Sequence, residues 1–375
     1  YYGIILLMKF SSSDNSGPGG QFLKNLGFLS GKGRSKRSDK PEKITVCDLG
    51  RSRIILLEVV KKPSGEIQIE KFEQIRNTLQ DQRPALLLKP FFETKKYARE
   101  GIRVTLKGHG VVLRFVRFPK MKKEDLVSAM KYEIEQYVPY EIEDCVIDHA
   151  IVDDSVQSPE GPKMEVMLAV VKRKELEPTI EIFRSLECKL SVIDVDILSA
   201  MSALDFFYPD DCKGHVGLLD IGSEISTVGI VRESMPRFIR DISYGIYDMQ
   251  KRMRSRSNLT PEEFERLLDE NQTPSDETAG VLAESLQGLI GDLRVSFDYY
   301  RDQSRFEKPI QKLFISGAGS FHPVLVKAIS EGLGLPVQSM EVLSKLKWAD
   351  TINADELRKY EAFLPVPLGL AVRSE

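Results

Sequence analysis

Cysteine, histidine and net charge are all scarce in this chain of 375 residues. The four cysteines form no Cys-x-x-Cys pair and the four histidines form no His-Glu-x-x-His motif. This scattering argues against a disulfide framework and against a zinc site, and it suits a reducing cytoplasm. The formal net charge of -3 is small for the length. Composition therefore gives the body of the protein no reason to bind nucleic acid or a membrane directly.

Long apolar runs are also absent near the start of the sequence. The opening YYGIILLMKF contains an apolar run of about seven residues, far short of the ~20 needed to cross a bilayer. It lacks the basic region and the small-residue cleavage site of a signal peptide. The following residues are rich in Ser, Gly, Lys and Arg. We therefore expect a flexible basic tail over residues 1–43.

Beyond the tail, strand-like and helix-like segments alternate along the chain. Residues 44–60, 66–75 and 102–118 are rich in β-branched or alternating apolar residues, as strands are. After Pro119, apolar residues recur at a spacing of four, which predicts an amphipathic helix. Residues 246–303 are mostly polar and helical in pattern. This length and order predict an α/β chain with mixed sheets, in two related halves.

Two similar segments place a carboxylate, a glycine and small hydroxyl residues between apolar strands. They are VCDLGRSRIILLEV (46–59) and LLDIGSEISTVGIV (218–231). Glycine lets a ligand approach the backbone, and the N–H and hydroxyl groups of such a turn form a concavity suited to phosphate. Asp48 and Asp220, just before the turns, suit a hydrated magnesium ion. A single Asp-x-Gly turn is usually only a hairpin turn, so the signal lies in the pair.

A third segment, LFISGAGS (313–320), is a strand that enters a glycine turn at a helix start. Backbone of this kind can lie flat against a ribose or purine, and a helix N-terminus favours anions. The order of the three segments, with a helical region between the last two, resembles the actin-like ATPase superfamily. That resemblance implies a ribonuclease H-like bilobal α/β fold with a nucleotide cleft between the lobes.

A more specific resemblance lies in the block FPKMKKEDLVSAMKYEIEQYVPYEIEDCVIDHAIVDD (118–154). It is similar to a region of the PilM family of the FtsA/PilM group, which takes part in type IV pilus assembly. Further similarity lies in DLRVSFDYYRDQ (292–303), SGAGS and PLGLAVR (367–373), so it spans about 44–373. The residues that match the block are Pro119, Met121, Leu126, Glu133, Tyr137, Val138, Pro139, Tyr140 and Asp148.

The resemblance implies a domain division that composition does not. The second lobe would consist of residues 214–245 and 310–344, with 246–309 as its helical subdomain. The first lobe would consist of 44–118, completed by 195–213 and about 345–375, with 119–194 as an extra subdomain. An extended peptide would bind in a groove between that extra subdomain and the first lobe.

The resemblance also implies ligands and partners. The expected cofactors are ATP and Mg²⁺, and the expected partner is the N-terminal cytoplasmic peptide of a PilN-like inner-membrane protein. Such a protein would work in the cytoplasm, at the inner face of the inner membrane, with other pilus platform proteins and without nucleic acid. The implied phosphate ligands are Gly50, Arg51, Ser52, Gly222, Ser223 and Ser226, with Asp48 and Asp220 at the metal. The implied adenosine contacts are Gly317, Ala318, Gly319, Ser320, Glu265 and Gly245.

Three positions depart from the family pattern. Ile55 and Leu268 stand where lysines are usual, and Ile246 replaces the second glycine of a Gly-Gly pair. Two lost cations weaken contacts to phosphate and base, so we expect ATP binding with slow hydrolysis or none.

Other functions fit parts of the sequence. A nucleotide-independent structural scaffold with a degenerate site and an FtsA-like filament-forming protein are the main alternatives. A sugar-kinase-like phosphotransferase would need a general-base Asp in a sugar-binding loop, and no such loop is evident. A GspL-like secretion protein would need a membrane-spanning run, and the sequence contains none of adequate length.

Overall fold

The computed structural model describes residues 40–77, 84–106, 110–122, 125–126, 128–130, 136, 141–156, 158–159, 161–304 and 309–373. The predicted basic tail therefore lies outside the described residues except for its last four. The same is true of Glu133 and of residues 137–140 in the PilM-like block. The first strand begins at Glu42, two residues before the predicted start of the first lobe.

Fourteen strands and eleven helices are described. The strands are β1 (Glu42–Leu49), β2 (Arg53–Lys61), β3 (Ile67–Arg76), β4 (Ile102–Leu106), β5 (Val111–Pro119), β6 (Cys145–Val156), β7 (Lys163–Lys172), β8 (Leu190–Val195), β9 (His215–Ile221), β10 (Ser226–Arg232), β11 (Met235–Ile242), β12 (Lys312–Gly317), β13 (Val337–Ser339) and β14 (Lys347–Trp348). The helices are α1 (Pro84–Glu93), α2 (Arg173–Ser185), α3 (Asp196–Phe207), α4 (Pro209–Cys212), α5 (Ile246–Ser257), α6 (Pro261–Asp269), α7 (Asp276–Ser285), α8 (Gln287–Ser304), α9 (Pro323–Leu333), α10 (Ala354–Lys359) and α11 (Pro365–Val372).

Two of the three sheets repeat one arrangement. The first sheet has the order β14-β3-β2-β1-β4-β8, and the second has the order β11-β10-β9-β12-β13. In each, a hairpin (β1–β2 or β9–β10) continues into a third antiparallel strand, and a parallel strand (β4 or β12) lies on the hairpin's other side. The hairpin strands are buried along most of their length, as their continuous apolar sequence predicts. The two related halves expected from the sequence are therefore confirmed.

The third sheet is a separate antiparallel layer with the order β5-β7-β6. The predicted single strand over 102–118 is wrong, because the chain divides there into β4 and β5. β4 pairs in the first sheet and β5 pairs with β7. At Gly110, just before β5, a Cβ would collide with the side chain of Glu175 on α2, so the chain passes close to that helix. Leu126 and Met130 of the predicted apolar stripe are buried in the core of this third sheet.

Helices α5 to α8 cover the second sheet, with Phe264, Leu267 and Leu268 of α6 in the core that they share. The predicted start of α6 is confirmed. The Thr260 hydroxyl accepts a hydrogen bond from the Glu263 N–H, and the Glu263 carboxylate accepts one from the Thr260 N–H. This reciprocal cap fixes the direction in which α6 leaves the second sheet.

The C-terminal helix α11 completes the first sheet. At Gly369 the backbones of α11 and α3 touch, and a Cβ there would overlap the carbonyl oxygen of Ser199. Arg373 forms a buried ion pair with Asp194, and Arg103 Nη1 donates a hydrogen bond of 2.7 Å to the Arg373 carbonyl oxygen. These contacts seat the PLGLAVR segment beside the strands that carry the first hairpin.

Among the described residues, no helix is both long enough and apolar enough to cross a membrane.

Candidate functional site

The two hairpin turns face each other across a cavity of about 670 Å³. Residues 49–53 of the first turn and 220–225 of the second line it. The turns also touch, because the Ser223 hydroxyl donates a hydrogen bond of 2.9 Å to the Ser52 hydroxyl. A volume in this range accommodates a small organic ligand. The first and second sheets thus bring together the two segments that looked alike in the sequence.

Each turn is preceded by a buried aspartate held by a hydroxyl from the neighbouring parallel strand. Thr105 Oγ1 on β4 donates a hydrogen bond of 2.7 Å to Asp48 Oδ1, and Ser316 Oγ on β12 donates one of 2.7 Å to Asp220 Oδ1. Both hydroxyl residues are the direct register partners of their aspartates. Sequence reasoning missed Thr105 and did not assign this role to Ser316, because the pairing of β1 with β4 and of β9 with β12 is not visible in the sequence.

The glycine of each turn is required by the turn itself. A Cβ at Gly50 would overlap the carbonyl oxygen of Arg53, and a Cβ at Gly222 would overlap that of Ile225. The same three-residue offset in both hairpins shows that the turns have one geometry. These glycines would be needed with or without a ligand, although their bare Cα also leaves the backbone open to one.

The predicted adenosine contacts separate into two groups. Gly317, with φ +83°, and Ala318 line the cavity, and the Ala318 N–H donates to the Ile221 carbonyl oxygen at 3.1 Å. Gly319 packs instead against Leu325 and Leu268, and neither it nor the fully buried Ser320 lines the cavity. Leu268, which replaces an expected lysine, therefore fills apolar space under the turn.

The start of α5 rests on the second turn. The N–H groups of Ile246 and Tyr247 donate to the carbonyl oxygens of Gly222 and Ser223 at 3.0 and 2.9 Å. Gly245, the N-cap, packs against Ser223 and does not line the cavity. Burial, and then the nearby Glu224 carboxylate, raise the pKa of the Tyr247 phenol. These amides hold the turn in place, so they are already engaged within the protein.

Ser226 lies deeper in the protein than the phosphate role expected from the sequence would need. It is fully buried, and its hydroxyl donates to the Tyr244 carbonyl oxygen at 2.8 Å. The next residue, Thr227, lines the cavity and donates to Asp241 Oδ1 at 2.8 Å. Ile55 also lines the cavity, so methyl groups stand where the family pattern places a cation.

The arginines of the first hairpin are paired with carboxylates from the opposite side of the cavity. Arg51 forms an ion pair with Glu224 on the second turn. Arg53 Nη2 lies 3.1 Å from Glu265 Oε1 and 2.8 Å from Asp269 Oδ2, both on α6. Glu265, predicted to reach the ribose or base, therefore binds an arginine and does not line the cavity. The sequence contained no signal for the pairing of Arg53 with Asp269.

Two aromatic rings enclose the Arg53 guanidinium. Its central carbon lies 4.5 Å from the ring centroids of both Tyr360 and Phe363. Cation–π attraction of this kind strengthens when the cation is shielded from water, and Arg53 is only 7% exposed. Arg53 is therefore a fixed structural cation at the edge of the cavity.

The donors present suit magnesium held mainly through water. Within the described ranges, no group of three or more His, Cys, Asp and Glu side chains could hold a metal ion. Asp48 and Asp220 line the cavity from opposite hairpins, each with one carboxylate oxygen oriented by a hydroxyl. A few carboxylates plus waters and ligand phosphates are the usual ligands of Mg²⁺ in nucleotide sites. The residues present fit a magnesium nucleotide at this place.

A second arm of the cavity runs between the first and third sheets. It is lined by Leu106 of β4, residues 111–114 of β5, and Thr179 and Ile182 of α2. Most of these side chains are apolar, and both β5 and β6 are edge strands of the third sheet. An edge strand beside an apolar groove can accept an extended peptide.

Repeated sheets whose hairpin turns face each other across a cleft define the actin-like ATPase fold. The structure of a PilM-PilN type IV pilus biogenesis complex superposes with a TM-score of 0.74 at 20% identity, covering 90% of this chain and 98% of that one. The ethanolamine utilization protein EutJ from Carboxydothermus hydrogenoformans gives 0.51 at 12% identity, covering 89% and 91%. A Bacteroides thetaiotaomicron protein described as having an actin-like ATPase fold gives 0.41 at 10% identity, covering 88% and 99%. The chain belongs to the family of the type IV pilus assembly protein PilM, whose sequence profile matches residues 47–375.

Proposed function

We propose that this protein is an ATP-binding assembly protein of the type IV pilus, which binds a PilN-like membrane protein and hydrolyses ATP slowly or not at all. The observation that carries the proposal is the matched pair of hydroxyl-held aspartates, Asp48 with Thr105 and Asp220 with Ser316, across one cavity. Two such groups suit a magnesium polyphosphate placed between two lobes. The first and second sheets would be the cores of those lobes, and the third sheet the extra subdomain.

The phosphates would lie between the two turns. Backbone N–H groups and the hydroxyls of Ser52 and Ser223 are the donors available there, and water on Mg²⁺ would connect the phosphates to Asp48 and Asp220. The adenosine would lie against Gly317 and Ala318. In this proposal Gly319, Ser320, Ser226 and Gly245 support the two turns from behind, and Glu265 takes part only if Arg53 releases it.

Slow hydrolysis follows from the state of the cations. Phosphoryl transfer depends on positive charge placed against the transferring group. Ile55 removes one expected cation, and the two arginines nearest the first turn are already neutralised by Glu224, Glu265 and Asp269. Binding needs less charge compensation than the transition state does, so binding would persist while catalysis is lost.

The partner would be the N-terminal cytoplasmic peptide of a PilN-like inner-membrane protein. The similar structure described above is a PilM-PilN complex. In this chain the arm of the cavity lined by Leu106, Val112, Leu113 and Ile182 has the apolar character and the edge strand that an extended peptide requires. Binding there would hold the protein at the inner face of the inner membrane, in the cytoplasm, with other platform proteins.

A nucleotide-independent scaffold is the second candidate. The pairing of Arg51, Arg53 and Glu265 across the cavity favours it, because these side chains satisfy each other without a ligand. The two candidates differ in one measurable property, the affinity for magnesium ATP.

Isothermal titration calorimetry with ATP and Mg²⁺ tests the nucleotide site. Asp220→Ala should weaken binding at least tenfold, because it removes the carboxylate that faces the metal waters. Asp298→Ala, which removes an exposed carboxylate on α8 away from the cavity, is the matched control and should bind as wild type does. Equal and negligible binding in all three proteins would instead establish the scaffold.

Fluorescence anisotropy with a labelled PilN-type N-terminal peptide tests the groove. Val112→Asp should abolish binding, since it places a charge in the apolar arm, whereas Arg117→Asp on the exposed part of the same strand should not. If both variants bind as wild type does, the peptide site lies elsewhere.

A further inference from the structure

The two rims of the cleft carry opposite charge. The first-sheet rim presents four cations: Arg51 in the first turn, Arg53 on β2, Arg76 on β3 and Lys359 on α10. The second-sheet rim presents four carboxylates: Glu224 in the second turn, Glu265 and Asp269 on α6, and Glu270 directly after it. Every one of these cations pairs with at least one of these carboxylates.

The pairs differ in burial, and the centre of the row is the protected part. The Arg53 side chain is 7% exposed and that of Asp269 is 11% exposed, whereas those of Arg51 and Arg76 are 60% and 58% exposed. Exposed pairs contribute little and are screened by salt. A buried pair resists the loss of one partner strongly, because the remaining charge has no water to solvate it.

Separation of the rims would expose these charges together. Arg53 would leave the carboxylates of α6 while staying between Tyr360 and Phe363, which belong to its own side of the cleft. The hydrogen bond between Ser52 and Ser223 would break in the same motion. Opening and the loss of this row of ion pairs are therefore one event.

We propose that this row of ion pairs, the rim latch, holds the cleft closed in the absence of nucleotide, so that nucleotide enters only after the latch has opened. The part that concerns nucleotide rests on the proposed function, while the closure itself does not. A polyphosphate competes with the second-sheet carboxylates for Arg51 and Arg53, so an anionic ligand and the latch oppose each other.

The latch predicts an unusual response to salt. Electrostatic attraction of a nucleotide to cations weakens as salt is added. Here salt also screens the exposed pairs that keep the cleft closed, so the rate of nucleotide entry should rise with moderate salt. The sign of this dependence separates a latch from a simple basic binding site.

Distance measurements between spin labels test the closure without nucleotide. Labels are attached through Ser64→Cys, in the exposed turn between β2 and β3, and Lys327→Cys, on the exposed face of α9, while the four native cysteines are buried. The otherwise unchanged protein should show one short distance at low salt. Glu265→Gln combined with Asp269→Asn should raise the population of a longer distance about tenfold. Raising salt from about 0.05 M to about 0.5 M should act in the same direction without any mutation at the rims.

The matched control is Glu284→Gln with Asp298→Asn. These carboxylates also pair with arginines, Arg256 and Arg301, but both partners lie on the second-sheet side. The control should keep the short distance. A wild-type distance that is already long at low salt, or a rim variant that matches the control, would overturn the latch.

Stopped-flow binding of a fluorescent ATP analogue with Mg²⁺ completes the test. The association rate should be several-fold higher in the rim variant than in the control, and in wild type it should rise with salt. A rate that falls with salt and is unchanged in the rim variant overturns the latch. If no nucleotide binds to any variant, the proposed function fails, and the nucleotide-free distances still decide whether the latch exists.

Discussion

The hydroxyl that holds each aspartate is open to a direct test. Thr105→Val keeps the shape of the side chain and removes the donor to Asp48, and Ser316→Ala removes the donor to Asp220. Both hydrogen bonds are 2.7 Å long and buried, and both acceptors are carboxylates. Such a bond contributes about 2 kcal/mol to the free energy of unfolding. We therefore expect each variant to lose about that amount, and the two losses to be similar.

Thr45 on β1 offers a matched control. It is 1% exposed, and its hydroxyl has no hydrogen-bond partner among the described residues. Thr45→Val makes the same chemical change in the same sheet without breaking a hydrogen bond. It should be neutral or stabilising, because a buried unpaired hydroxyl is unfavourable.

Urea-induced unfolding followed by circular dichroism measures all three variants. A double-mutant cycle with Asp48→Ala isolates the pairwise part for Thr105. The coupling energy should be about 2 kcal/mol, so most of the cost of Thr105→Val should disappear once the carboxylate has been removed. The reasoning is refuted if Thr105→Val and Thr45→Val have equal effects, or if the cycle gives no coupling.

Three further outcomes are expected. Gly369→Ala should cost more than about 3 kcal/mol, since its Cβ would overlap the backbone of α3, whereas Gly291→Ala, with open space around it in α8, should be neutral or stabilising in the same urea assay. Arg373→Met should cost about 3 kcal/mol or more in thermal unfolding because it strands the buried Asp194; a loss below about 1 kcal/mol would contradict this. Burial raises the pKa of Asp148 to about 7, so the folded state holds a proton that the unfolded state releases above about pH 4. Stability should fall by about 2 kcal/mol between about pH 5 and pH 7 and then level off, and Asp148→Asn should remove this slope, which an unchanged slope would refute.

Local chemistry explains what could be predicted from the sequence. The two Asp-x-Gly hairpins were visible because the glycine, the flanking apolar runs and the acid lie within a few residues of each other. The start of α6 was visible because a cap depends on positions four residues apart. The family block and the repeated halves followed from similar local patterns.

The site itself depends on contacts that no local pattern contains. Thr105 meets Asp48 only because β4 pairs with β1 in one particular register. Gly319 and Ser320, although they follow the cavity residue Ala318 directly, turn into the core, where Leu268 and Leu325 determine their surroundings. In the same way β5 left the first sheet, since its strand pairing was decided by β7 and not by its own sequence.

By itself, the sequence determined the hairpins, the caps, the α/β order and the membership of the PilM family, since short-range sterics and hydrogen bonding decide each of them or leave a readable pattern. Only the tertiary structure decided which side chains meet across the cleft. Arg53 and Asp269 lie 216 residues apart in the chain and 2.8 Å apart in space, because the order of strands in two sheets brings β2 and α6 to opposite rims.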